Sequence, residues 1–124
     1  MRAMLERCSI ARRASFLAVL KKFGEAGKGM LSHPMRGYTL TLDIANAPGL
    51  VPFLGELDRI LLDHGGRLYL AKDTVAAPAT IAAMYPRLEE FRAVLHRVDP
   101  ESRLNSDLAR RTGIGLPARE THDV

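Results

Sequence analysis

The sequence contains no tryptophan and a single cysteine, Cys8, among its 124 residues. One cysteine excludes an internal disulfide and any zinc site that needs several thiolates. Three tyrosines and four phenylalanines leave little aromatic surface for stacking nucleic-acid bases, and the basic residues are spread along the chain. We therefore expect no nucleic-acid partner, and we interpret the net charge of +4 as that of a solvated surface.

Long hydrophobic runs are also lacking. The apolar run nearest the start, residues 14–20, is broken by Ser15 and is far shorter than the roughly 20 residues of a membrane span. It continues into Lys21 and Lys22 rather than into a small-residue cleavage site, which is unlike a signal peptide. We expect a cytoplasmic protein without a membrane span.

The composition that is present is that of an ordinary globular domain. Apolar residues make up 47% of the chain and charged residues 26%, close to globular averages. The length suffices for one modest domain. The four histidines are dispersed, without a partner at ligand spacing, so we expect no metal site.

Hydrophobic periodicity predicts the order helix, strand, strand, helix, strand and then three helices. Helices are predicted over residues 1–8, 50–64, 78–85, 86–98 and 106–112, and strands over 15–23, 37–44 and 67–71. The strand of 37–44 alternates most clearly, because Tyr38, Leu40 and Leu42 share one face while Thr39 and Thr41 share the other.

This order is that of a ferredoxin-like βαββαβ unit without its first strand. That strand lies in the middle of the sheet, so its absence would expose strand edges and favour self-association. We expect an α+β fold with an incomplete ferredoxin-like antiparallel sheet followed by C-terminal helices, and the pattern suggests that something upstream is missing. The expected divisions are a partial α+β unit over 1–74, helices over 75–114 and a frayed tail over 115–124.

Seven short strings occur in order and carry a family resemblance. They cover residues 15–24, 34–38, 56–59, 65–73, 83–87, 98–100 and 106–111. The most specific is Gly-Gly-Arg-Leu-Tyr-Leu-Ala-Lys-Asp at 65–73, followed by Tyr-Pro-Arg at 85–87. Together they resemble the C-terminal part of FAD-linked oxidases of the vanillyl-alcohol-oxidase type, closest to the decaprenylphosphoryl-β-D-ribose 2-oxidase and sugar-1,4-lactone oxidase group.

The resemblance implies the cap and substrate-binding portion of an FAD-dependent oxidoreductase that oxidises a hydroxyl of a sugar or a polyprenyl-phosphoryl sugar. An FAD-binding domain, upstream or on a separate chain, would then be its partner. The glycines of 24–29 do not follow the G-x-G-x-x-G pattern that opens a helix, so we do not expect this chain alone to hold FAD or to be catalytic. The alternative is a free-standing ferredoxin-like binding or dimerisation module without catalysis.

By the same resemblance, Lys72 is the candidate catalytic residue, and Tyr69, Lys21, Thr39 and Thr41 are candidates for the substrate and flavin pocket. Solvated residues on a strand are the alternative interpretation of each. Strand parity places Tyr69 and Lys72 on opposite faces. Both can therefore serve one pocket only if the predicted third strand ends or bulges at its last residue.

Overall fold

The computed structural model describes residues 1–13 and 15–115, so the predicted tail lies outside the described residues except for its first position. The elements in this part of the chain are α1 Arg2–Ile10, β1 Ala18–Phe23, β2 Gly37–Leu42, α2 Leu50–Asp63, α3 Pro78–Met84, α4 Leu88–Val98 and α5 Asp107–Thr112. Of the described helices, none is long and apolar enough to cross a membrane. The α+β fold with an incomplete sheet is confirmed.

The sheet is an antiparallel pair of β1 and β2. Its register places Lys21 opposite Thr39 and Val19 opposite Thr41. Because directly opposed residues project to the same face, these four side chains share one face of the sheet. Leu42 belongs to the other face, which packs at that end against the apolar cluster between α1 and α2.

The third predicted strand, over 67–71, is wrong. The backbone after α2 forms no ladder at residues 66–69 and then turns at residues 70–72. In a βαββαβ unit this segment pairs with the first strand, which the sequence pattern lacks, so side chains satisfy its backbone instead. The Leu68 N–H donates to Sδ of Met84 at 3.3 Å, and the Tyr85 hydroxyl donates to the Leu68 carbonyl at 2.6 Å.

The buried apolar side chains form two clusters. The first consists of Ala76, Ile81, Met84, Tyr85, Leu88 and Ile114. The second, between α1 and α2, consists of Cys8, Phe53 and Leu57. Burying one large apolar side chain contributes about 1.5–3 kcal/mol. Among the described residues, the fully buried side chains therefore lie on the helices or directly beside them, and none lies on the strand pair.

The helix boundaries follow from their capping residues. After α2 the chain reverses at Gly65, whose φ of +66° is in the left-handed region that glycine tolerates best. At the start of α5, Oγ of Ser106 accepts the Ala109 N–H at 3.1 Å, and α5 ends at Gly113 with φ of +67°. These three predicted helix boundaries are confirmed within about one residue.

Self-association is the prediction that this fold generates. Both strands of the pair are edge strands, and the face away from Lys21 exposes Leu20 and Tyr38 by 56% and 63%. Unpaired backbone groups beside apolar side chains favour pairing with another chain. We expect Leu20→Lys to weaken association by about tenfold, because it places a charge in the apolar contact.

Sedimentation velocity over a series of concentrations measures this effect. The matched control is Val98→Lys, which alters a similarly exposed apolar side chain on α4 and should leave association unchanged. A parent chain that stays monomeric throughout the series contradicts the prediction.

Candidate functional site

The face of the sheet that carries Lys21 is the first component of the candidate site. Thr39 lies directly opposite Lys21, and Thr41 is two residues further along β2 on the same side. The lysine is exposed and both threonines are half-buried. The structure therefore brings three of the five predicted site residues together, and they present one ammonium and two hydroxyl groups.

Three side-chain rings in successive contact connect this face to the segment after α2. Phe23 is two residues beyond Lys21 on β1 and so shares its face. The Phe23 ring lies 5.5 Å from the imidazole of His33, and that imidazole lies 5.0 Å from the Tyr69 ring, measured between centroids. Tyr69, the fourth predicted site residue, therefore lies beyond the Phe23 end of the face.

His33 contacts the candidate site, and the sequence pattern did not indicate it. A histidine in a loop takes part in no periodicity, and the signal that identifies it is its contact with two rings distant in sequence. Burial lowers the pKa of its imidazole, the Arg67 carbonyl opposes this by accepting a hydrogen bond, and the Arg67 charge lowers it further. The ring is therefore neutral at pH 7 and can both donate and accept a hydrogen bond.

Lys72, the fifth predicted residue, lies on a turn rather than on a strand. The N–H groups of Lys72 and Asp73 both donate to the carbonyl of Tyr69, at 2.9 and 3.1 Å. Because the chain turns here, strand parity no longer separates the side chains of Tyr69 and Lys72. The condition under which both could serve one pocket is thus met, and both side chains are exposed.

Two carboxyl groups lie near this turn. The Asp73 side chain is only 4% exposed. Asp58, on α2, is half-buried, and burial together with the negative charge of Asp73 raises the pKa of its carboxyl to about 6. The turn that carries Lys72 therefore has two carboxyl groups on its inner side, of which that of Asp73 is paired with Arg111, and an exposed ammonium on its outer side.

The chain is an α+β unit with an unfinished sheet, and one face of that sheet carries an ammonium beside two hydroxyl groups. These features fit the C-terminal part of an FAD-linked oxidase. Comparison with known proteins shows the same class of protein. Residues 43–112, more than half of the chain, match the family model described as D-arabinono-1,4-lactone oxidase. The chain belongs to this family.

Two bacterial relatives extend the match. The chain is 44% identical over 97 residues to decaprenylphosphoryl-β-D-ribose oxidase of Mycolicibacterium smegmatis, covering 78% of this chain and 21% of that protein. It is 42% identical over 115 residues to a Streptomyces coelicolor protein described as an uncharacterized protein in the mprA 5' region, covering 92% of this chain and 31% of the relative. The chain spans a third or less of the length of these curated relatives.

The family model covers one part of the candidate site and leaves the other part outside its range. Its range includes the turn with Tyr69, Lys72 and Asp73, and it begins just after β2. Lys21 and Thr39 lie outside that range. The turn is therefore the part of the site that the family model covers.

The raised pKa of Asp58 generates a pH-dependent stability prediction. Its folded pKa of about 6 lies above the ordinary 3.8, so the folded state binds the proton more tightly and stability falls as pH rises from about 4 to about 6. We expect Asp58→Asn to raise the free energy of unfolding at pH 7.5 by about 1 kcal/mol, after allowance for partial exposure, and to change it little at pH 4.

Urea denaturation at the two pH values measures this difference. Asp63→Asn, at an exposed position on the same helix, is the control and should affect the pH dependence much less. An Asp58→Asn variant whose stability changes equally at both pH values would show that Asp58 has no raised pKa.

Proposed function

We propose that this chain is the substrate-facing cap portion of an FAD-dependent oxidoreductase that oxidises a hydroxyl group of a sugar or a polyprenyl-phosphoryl sugar. The observation that carries the proposal is the placement of Tyr69 and Lys72 at the two ends of one turn, beyond the sheet face that bears Lys21. Membership of the lactone oxidase family supports the oxidase class. The name of the Mycolicibacterium relative supports a sugar carried on a polyprenyl phosphate.

The sheet face suits a ligand with several hydroxyl groups. Thr39 and Thr41 each offer one donor and two acceptor positions, and the Lys21 ammonium offers three donors. Tyr69 adds an aromatic ring with a hydroxyl at its tip, so it can contact an apolar sugar surface while its hydroxyl bonds to a polar one. These residues would bind and orient the sugar.

Lys72 is the residue proposed to act in the reaction. A flavin, when bound, supplies the acceptor for the hydride that leaves the sugar carbon, and the proton of the oxidised hydroxyl would pass to water. The ammonium of Lys72 would stabilise the negative charge that grows during this transfer, and would stabilise it more in the transition state than in the ground state. The backbone of Lys72 is already held in the turn by the Tyr69 carbonyl, so little reorganisation of this backbone is needed during the reaction.

The described residues fit the ring end of a flavin and not its pyrophosphate. Lys21 and Lys72 are exposed cations of the kind that a reduced ring attracts. The glycine-rich stretch of 24–29 follows β1 but leads into turns and extended chain rather than into a helix, so it lacks the helix N-terminus that binds phosphate groups. We therefore assign the pyrophosphate to a separate FAD-binding domain.

The first test is the colour of the protein. We expect the purified chain to show no visible absorbance from bound flavin, because the part of it that the structure describes offers no cradle for the pyrophosphate. Absorbance spectra after incubation with FAD and gel filtration measure retention, with the Mycolicibacterium oxidase as the positive control. Retention of FAD near one molecule per chain contradicts the proposed division of the enzyme.

The second test concerns Lys72 in a hybrid in which this chain replaces the matching segment of the Mycolicibacterium oxidase. We expect Lys72→Ala to slow flavin reduction by about a hundredfold, or about 3 kcal/mol, while FAD retention changes little. Lys72→Arg should restore only part of the rate, because a planar guanidinium presents its donors differently from a compact ammonium.

Stopped-flow reduction by decaprenylphosphoryl-β-D-ribose provides the measurement. Lys22→Ala is the matched control, since Lys22 is exposed on β1 but on the face opposite to Lys21. If Lys72→Ala reduces its flavin within about threefold of the parent rate, Lys72 is an ordinary surface lysine and the proposed role is wrong.

A further inference from the structure

The turn that carries Lys72 is held by an ion pair between Asp73 and Arg111. Oδ2 of Asp73 lies 2.8 Å from Nη2 of Arg111, and the two side chains are 4% and 31% exposed. Shielding from water strengthens the attraction between such charges relative to a surface pair. The two residues are 38 positions apart in sequence, so this contact joins the turn to α5.

Both partners also bond to the backbone that follows the turn. Oδ1 of Asp73 accepts the N–H groups of Val75 and Ala76, at 3.2 and 2.9 Å. The guanidinium of Arg111 donates to the carbonyls of Asp73 and Ala76, both at 3.1 Å. The segment 73–76 is thus bound at its first and last residues by one planar group, in the geometry for which arginine is suited.

Arg111 itself comes from a helix with a fixed position. Ser106 caps the start of α5, and the fully buried Thr112 donates its hydroxyl to the Leu108 carbonyl at 2.6 Å. Ile114, just beyond the helix, belongs to the first apolar cluster. Because α5 is held by these contacts, the guanidinium of Arg111 can hold the turn in a fixed position.

Lys72 immediately precedes Asp73, and the N–H groups of both residues share the Tyr69 carbonyl. We propose that Asp73 and Arg111 are positioning residues that fix the backbone of Lys72 and so direct its ammonium into the site. We call the Asp73–Arg111 pair the clamp. Its effect on catalysis rests on the role proposed above for Lys72. The effect of the clamp on the turn itself does not.

Two variants weaken the clamp without deleting it. Asp73→Asn keeps an oxygen for the Val75 and Ala76 N–H groups but removes the negative charge. Arg111→Lys keeps the positive charge but cannot reach the Asp73 carboxylate and two carbonyls together. The control is Arg110→Lys, since Arg110 is on the same helix and, among residues 1–13 and 15–115, pairs only with the fully exposed Asp107.

The first readout is hydrogen exchange of the Lys72 and Asp73 amides in the full chain, measured by NMR. Each clamp variant should accelerate exchange of these two amides by about tenfold, while amides in the middle of α2 change much less. Arg110→Lys should accelerate neither. Unchanged exchange at Lys72 and Asp73 in both clamp variants overturns the proposal, whatever the activity.

The second readout is flavin reduction in the hybrid oxidase, which separates the clamp from the proposed function. We expect Asp73→Asn to slow reduction about tenfold with little change in KM, and to have no further effect when Lys72→Ala is already present. A role confined to folding would instead slow both backgrounds equally, and that result overturns the positioning role. If Lys72→Ala alone leaves the rate of flavin reduction unchanged, the proposed function is wrong. Amide exchange then tests by itself whether the clamp holds the turn.

Discussion

The backbone of residues 66–73 has to satisfy its polar groups without a neighbouring strand, and much of the structure follows from this constraint. The Tyr85 hydroxyl and the Met84 sulfur take the place of a ladder at Leu68. The Tyr69 carbonyl then accepts two N–H groups and turns the chain. Because unpaired buried backbone groups are costly, α3 packs against this segment as a substitute for a strand.

The helices and the strand pair were accessible to sequence reasoning because their signals are local. Ser106 and Gly113 mark the ends of α5, and alternation along β2 placed Thr39 and Thr41 together on one face. The end of the helix predicted over 50–64 likewise agrees with the glycine of positive φ at residue 65. These features depend on residues within one or two turns of each other.

Features that depend on distant residues were not accessible. The strand predicted over 67–71 has the right composition, but a strand also requires a partner, and no local pattern supplies one. His33 acquires its place from rings that lie ten residues before it and 36 residues after it. The contact between Asp73 and Arg111 joins a turn to a helix that the periodicity treated as separate.

The long connection between β1 and β2 is held by donors from elsewhere in the fold. Arg67 donates to the Ser32 carbonyl at 3.1 Å, and Arg87 donates to the Lys28 carbonyl at 3.2 Å. Main-chain oxygens are the same in every residue type, so most side chains in this connection can change during evolution without loss of its path. Gly27 is an exception, because a methyl group there would collide with the Ser32 hydroxyl. Outside Gly27 and the ring contacts of His33, sequence drift should therefore be faster along the connection than at the two arginines that hold it.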